Sequence, residues 1–278
     1  MRLSLALSVA VSGTLLGCAG TSAPAPDGGL AFGVPSVPAA TYVSGDSLKI
    51  SVESPMGAMV MNMDAAMTLA MSFERVATGV QVTADVEALS GSMNNPMAGN
   101  ISFDEGDVSG PMVFVVAPTG AVEVTASPTV SGSGAQLGVF AGKAQEFFPR
   151  FPDGSVTPGA SWTDTVAWST DEDGAAVSSS TAYTYTMAGD TLVDGTNLLK
   201  IAVAGDVDTT INAAQGGMDV EQTLSGTTTG HFLWDVERGL LHSSNLHRDL
   251  EGIVNVPGMG IPPMGLKASG PASTRLVN

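Results

Sequence analysis

Hydrophobic and polar residues alternate with period two along most of the chain from Tyr42 onward, the signature of half-buried strands. In AMTLAMSFERV, Met67, Leu69, Met71 and Phe73 fall on one face, while Thr68, Ser72 and Glu74 fall on the other. In GVQVTADVEAL, Val80, Val82, Ala84 and Val86 oppose Gln81, Thr83, Asp85 and Glu87. The same rhythm returns in PMVFVV, GAVEVTA, SWTDTVAWS, STAYTYTM, NLLKIAVAG, MDVEQTLSG and GHFLWDVERGLLHSSNLHRDLEGIV. Within the last of these, Asp235 to Gly239 has turn chemistry between two apolar runs, which predicts a hairpin.

One interval changes period. Leu137, Phe140, Ala141, Ala144, Phe147 and Phe148 recur at helical spacing, and Pro149 stops the pattern, which predicts a short helix over about 134–148. It separates a first β-rich half, about 41–130, from a second, about 155–277. Pro158, Gly159, Ser161 and Trp162 read as a turn followed by a packing tryptophan. The fold class expected is mainly β: an antiparallel meander forming a curved or half-barrel sheet, with the helix between its two halves.

Ahead of the strands lies MRLSLALSVAVSGTLLG, residues 1–17, with a positive start at Arg2 and an apolar stretch from Leu3 to Leu16. It is too short to span a bilayer and has the anatomy of a secretory signal. It ends in Leu15-Leu16-Gly17-Cys18, and this tetrapeptide resembles the lipobox of bacterial lipoproteins. The resemblance implies cleavage after Gly17, a thioether-linked diacylglycerol on Cys18, and a new amino group that can be acylated as well. Two or more acyl chains anchor stably where one binds marginally. Cys18 is then a membrane anchor, and Ala19 in place of an aspartate implies the outer membrane by the sorting rule of enteric lipoproteins. Residues 18–40 read as the acylated cysteine and a flexible tether rich in Pro and Gly, ahead of a β-rich body over 41–277. Cys18 is the only cysteine, so no disulfide can form within the body and packing must hold it.

The formal charge of −17 repels phosphates, which makes nucleic acid an unsuitable partner. An apolar content of 44% supports a folded core. The order of lipobox, tether, strands, apolar helix, FFPRFPDGSVTPGASWTDTV and second meander is similar to that of uncharacterised bacterial lipoproteins. More distantly it resembles the lipoprotein-carrier superfamily of LolA, LolB and LppX. That likeness implies an incomplete β-barrel closed by helices over an apolar cavity that takes acyl chains.

Catalytic signals are missing: the chain has no G-x-S-x-G elbow, no phosphate loop and no dinucleotide fingerprint, so it does not read as an enzyme and no cofactor is expected. His231, His242 and His247 lie in or near the last hairpin, but alternation separates His242 from His247, and two histidines fall short of a zinc site. Asp171-Glu172-Asp173-Gly174 and Asp104-Glu105-Gly106-Asp107 read as solvated turns, since they lack the spaced ligands of a calcium loop. Methionine is the unusual element. Met59, Met61 and Met63 project to one side of an extended chain, and a row of thioethers suits either a soft Cu(I) ion or pliable apolar lining. Met67 and Met71 continue in phase with Leu69 and Phe73, which favours lining.

The function expected is that of a membrane-anchored, non-enzymatic envelope lipoprotein holding an apolar ligand such as an acyl chain, lined by Met67, Leu69, Met71, Phe73, Val80, Val82, Phe140 and Phe147. The alternatives are a structural or protein-interaction lipoprotein with a solid core, and a Cu(I)-binding periplasmic protein using Met59, Met61 and Met63.

Overall fold

A computed structural model describes residues 30–54, 57–95, 99–131, 140–172, 175–215, 218–258 and 262–277. Cys18 and the signal lie outside the described residues. The first half contributes β1 (Ala39–Ser54), β2 (Gly57–Val76), β3 (Gly79–Asn95), β4 (Gly99–Asp104), β5 (Val108–Ser109), β6 (Met112–Val116), β7 (Val122–Ala126) and β8 (Thr129–Val130). One short helix follows, α1 (Phe140–Phe147). The second half contributes β9 (Ser161–Glu172), β10 (Ala175–Val193), β11 (Thr196–Gln215), β12 (Met218–Asp235), β13 (Leu240–Asn255) and β14 (Met264–Leu276). The described part of the predicted helix is Phe140–Phe147, and residues 134–139 of the expected span lie outside the described residues.

All the long strands belong to one antiparallel sheet in the order β7-β6-β3-β2-β1-β14-β13-β12-β11-β10-β9, with β4 paired to β3 off that path, and the sheet curls into a half-barrel. Each half is a meander of hairpins. The halves join where β1 pairs with β14, with Tyr42 opposite Leu276 and Val52 opposite Leu266. The first and last strands therefore meet in the middle of the sheet, and β7 and β9 are its edges.

Alternation decides which face curls inward. On β2, Met67, Leu69, Met71 and Phe73 are buried, and on β3 so are Val80, Val82 and Ala84, while Ser72, Glu74 and Asp85 are exposed. Glycine permits part of the curvature. A side chain on Gly270 would begin 1.8 Å from the backbone oxygen of Ser47, and one on Gly226 would begin 2.1 Å from that of Asp249. The neighbouring strands approach there more closely than any Cβ allows, as expected of glycine kinks in a bent sheet.

The outer face is built for water. Thr163, Thr165 and Ser169 on β9, Ser178 and Thr184 on β10, Asp206 and Asp208 on β11, and Thr223, Ser225, Thr227 and Thr229 on β12 are all exposed. A barrel that crosses a membrane on its strands carries the opposite pattern, an apolar band outside. Among the described residues no helix is long and apolar enough to cross a membrane.

Candidate functional site

The inner face of the half-barrel has two ends with different cover. At one end α1 lies between the two sheet edges. Gln145 Nε2 on the helix donates to the Val122 carbonyl of β7 at 3.0 Å, and Gly142 rests against the Trp168 ring of β9, where a Cβ would sit 2.4 Å from Cζ2. The helix thus bridges the seam that the sheet leaves open.

Its apolar side fills the concavity. Phe147 meets Tyr42 edge-on, Phe148 packs on Phe32 at 4.8 Å, and Phe151 packs on Trp234 at 5.2 Å between ring centroids. Residues 30–38, which composition reads as the end of the tether, belong to this packing. Phe32 is buried and its N–H donates to the Pro118 carbonyl, Ser36 N–H donates to the Arg238 carbonyl, and Phe73 N–H donates to that of Pro38.

The residues expected to line a ligand cavity therefore occupy a solid core. Leu69 and Met71 are 1% exposed and Val82 is 0% exposed; Met67, Phe73, Val80 and Phe147 join the same cluster. Phe140 opens the described helix, and its side chain lies outside the described set. The void beneath the helix measures about 40 Å³, bordered by Ser44, Phe147, Ser244, Arg248 and Thr274. That is room for a water molecule and not for an acyl chain.

Four charges hold the helix in place, and the strand alternation gives no hint of them. Lys143 and Glu146 on α1 face Asp46 on β1 and Arg248 on β13. Lys143 Nζ pairs with Asp46, Arg248 Nη2 donates to Glu146 Oε2 at 2.6 Å, and Arg248 Nη1 lies 3.9 Å from Asp46 Oδ1. Desolvation, then the neighbouring Arg248, pull the Lys143 ammonium down to about 8 against the opposing pull of Glu146.

A fifth charge ties the segment after the helix. Arg150 is buried; it donates to the carbonyls of Gly120 and Gln145, lies 3.6 Å from Asp164 Oδ2, and its own carbonyl accepts from Trp162 Nε1 at 3.0 Å. Trp162 in turn stacks on Tyr185, with ring planes 12° apart, as the expected packing tryptophan after a turn.

The other end of the inner face carries no helix among the described residues. Residues directly opposite in an antiparallel ladder share a face. By that rule Leu48, Ile50 and Val52 on β1 lie on the inner face together with Met63, Met61 and Met59 opposite them on β2. Leu266 and Ala268 of β14 continue the surface beyond Val52 and Ile50. Val52, Val254 and Leu266 form a second, smaller apolar cluster, flanked by half-buried Ile50, Met59, Met61, Leu224 and Met264. The signal for Leu48, Ile50 and Val52 was present in SLKISVES, which alternates as cleanly as the strands read from the sequence.

Other candidates disperse. His247 lies on the outer face, 3.4 Å from Asp249, and His231 sits opposite Asn245 with its pKa lowered by partial burial and Lys200. Among the described residues no group of three or more His, Cys, Asp or Glu side chains could hold a metal ion. A shallow depression of about 490 Å³ on the outer face mixes small polar residues such as Ser47, Ser90 and Ser92 with Ala65, Ala66 and Pro271.

No family model and no curated relative matches the chain. Among solved structures it is similar to Neisserial surface protein A, with 10% identity and a TM-score of 0.26 over 85% of this chain and 97% of that one. It is similar also to the beta domain of the Bordetella autotransporter BrkA, with 12% identity and a TM-score of 0.28 over 87% of this chain and 100% of that one. A DUF1329 family protein from Desulfovibrio piger gives 9% identity and a TM-score of 0.15 over 84% of this chain and 85% of that one. Likenesses this slight leave the fold and the site to be argued from the chain's own residues.

Proposed function

We propose that this chain is a membrane-anchored, non-enzymatic protein of the bacterial cell envelope that holds an apolar ligand of the acyl-chain class on the open half of its inner sheet face. The observation that carries the reading is the apolar surface in which half-buried Ile50, Met59, Met61 and Met264 surround the small buried cluster of Val52, Val254 and Leu266. It differs from the sequence-based site, whose residues are spent on the core at the helix end. The lipobox supplies the anchor at Cys18. From there to residue 29 the chain can reach at most about 40 Å. It joins the body at the helix end, where Phe32 meets Pro118 and Ser36 meets Arg238. The open end therefore lies at the opposite end of the body from the point where the tether joins it.

The test is uptake of a fluorescent fatty acid by the purified full-length chain, with native mass spectrometry for lipid carried through purification. Val52→Asp places a charge in the apolar surface and is expected to abolish uptake, whereas Ser169→Asp on the outer face is expected to preserve it. A parent chain that takes up no fatty acid, or a Val52→Asp chain that takes it up unchanged, removes the proposal. The anchor is tested separately: Cys18→Ser is expected to move the protein from the membrane to the soluble fraction, and unchanged fractionation removes that part.

The solid core under α1 favours a second reading, in which the open end docks another envelope protein and no free lipid is carried. A folded parent chain without lipid uptake would select it.

A further inference from the structure

The thioethers at the open end are arranged in a way that apolar lining does not require. Met61 and Met63 follow each other on the inner face of β2, and Met93 on β3 stands directly opposite Met63. Directly opposed residues place their Cβ atoms about 4.5–5.5 Å apart, and the diagonal neighbour, here Met61 to Met93, lies at about 7–8 Å, within reach of a long side chain. All three residues are half-buried and held in a fixed backbone register. On a half-exposed strand, β-branched and aromatic residues would be the ordinary choice. The neighbouring inner positions of β1 follow that rule with Ile50 and Val52.

Met59 follows Met61 on the same face of β2, half-buried, but lies beyond the stretch over which β2 pairs with β3. Met67, Met71, Met112 and Met187 are buried in the main core, closed to an entering ion. Met264 pairs with Val254 and has no methionine opposite it on β13. Thioethers select soft ions, and Cu(I) is the biological one. The acidic groups nearest along β2 and β3, Asp64 and Glu87, are exposed, and Asp64 alternates to the outer face, where it accepts from Ser47. The nearest inner-face carboxylate, Asp46 of β1, is diagonal to Met63 and is engaged by Lys143 and Arg248.

We propose that Met61, Met63 and Met93 form a soft-metal site that binds one Cu(I) ion through three thioether sulfurs at the open end of the half-barrel. The site does not depend on the acyl-chain reading, because leucine in place of methionine keeps the surface apolar and removes only the sulfur.

The experiment titrates Ag(I), a redox-inert stand-in for Cu(I), into the full-length chain carrying Cys18→Ser, so that no thiol competes. Isothermal calorimetry and native mass spectrometry read affinity and stoichiometry. One ion per chain is expected. The triple variant M61L/M63L/M93L is expected to weaken binding by roughly 100-fold or more, beyond the loss of an outer-shell partner. Met264→Leu is the control and is expected to bind as the parent does. Exchanges of Met for Leu conserve volume, so circular dichroism should be unchanged in each. No binding by the parent, unchanged affinity in the triple variant, or an equal loss in Met264→Leu overturns the proposal. Fatty-acid uptake measured on the same samples reads the other function separately from ion binding.

Discussion

Phe147, in the last turn of α1, stands edge-on to Tyr42 of β1, with ring centroids 5.1 Å apart and planes at 89°. This contact makes the helix a plug, since it puts an aromatic ring where a ligand would otherwise lie.

Phe147→Ala removes the plug. Truncating a buried phenylalanine costs about 3–5 kcal/mol through lost burial and the cavity left behind. Chemical denaturation is expected to show that loss as a lower midpoint with an unchanged slope. A loss under about 1 kcal/mol, small for a buried ring, would mean that the helix is not seated as described.

Gly142→Ala tests the seat of the helix from its other side. In an exposed helix this exchange stabilises by about 1 kcal/mol. Here the new methyl would fall 2.4 Å from the Trp168 ring, so the sign is expected to reverse. Overpacking costs about 1–3 kcal/mol. Thermal melts read the stability, and a shift in tryptophan fluorescence is expected alongside it.

Arg150→Met would leave the carbonyls of Gly120 and Gln145 without their buried donor. The expected loss is about 2–3 kcal/mol, the cost of stranding buried acceptors. Arg150→Lys is expected to recover only part of it, because an ammonium cannot reproduce the fork that reaches both carbonyls. Urea denaturation of the two variants side by side checks the order.

Alkaline pH should unfold the protein through its tyrosines. All three tyrosines in the chain, Tyr42, Tyr183 and Tyr185, have their hydroxyls pushed up mainly by burial. In the unfolded chain they ionise near pH 10, so above that pH the folded state holds more protons than the unfolded one. Stability then falls as pH rises from 10. Tyrosinate absorbance is expected to remain absent near pH 10 and to appear together with loss of the strand signal. A gradual titration centred near 10 in the folded protein would contradict the burial.

Strand existence and facing were legible because alternation depends only on neighbours in sequence. Met67 to Phe73 and Val80 to Ala84 are buried on the parity they show in the chain. The last hairpin was legible for the same reason: Asp235 Oδ1 accepts from Arg238 N–H at 2.9 Å, and Gly239 takes a φ of +67°. What period two cannot reveal is how far a cover extends along the strand. Met71 and Met61 carry the same local pattern, yet α1 closes over the region of one and, among the described residues, does not cover the other.

Long-range electrostatics were equally invisible. Asp46 and Arg248 lie far apart in sequence and become neighbours only through β14, which runs between their strands. Phe32 was hidden by its company of prolines and glycines, although LAFGV around it was an apolar signal in its own right.

The pairing of β1 with β14 has a consequence for the chain's birth. The central ladder of the sheet cannot zip until β14 has left the ribosome, and contacts so distant in sequence form slowly. The two halves of the sheet thus stay unjoined during synthesis until β14 emerges, and β1 waits longest for its second neighbour.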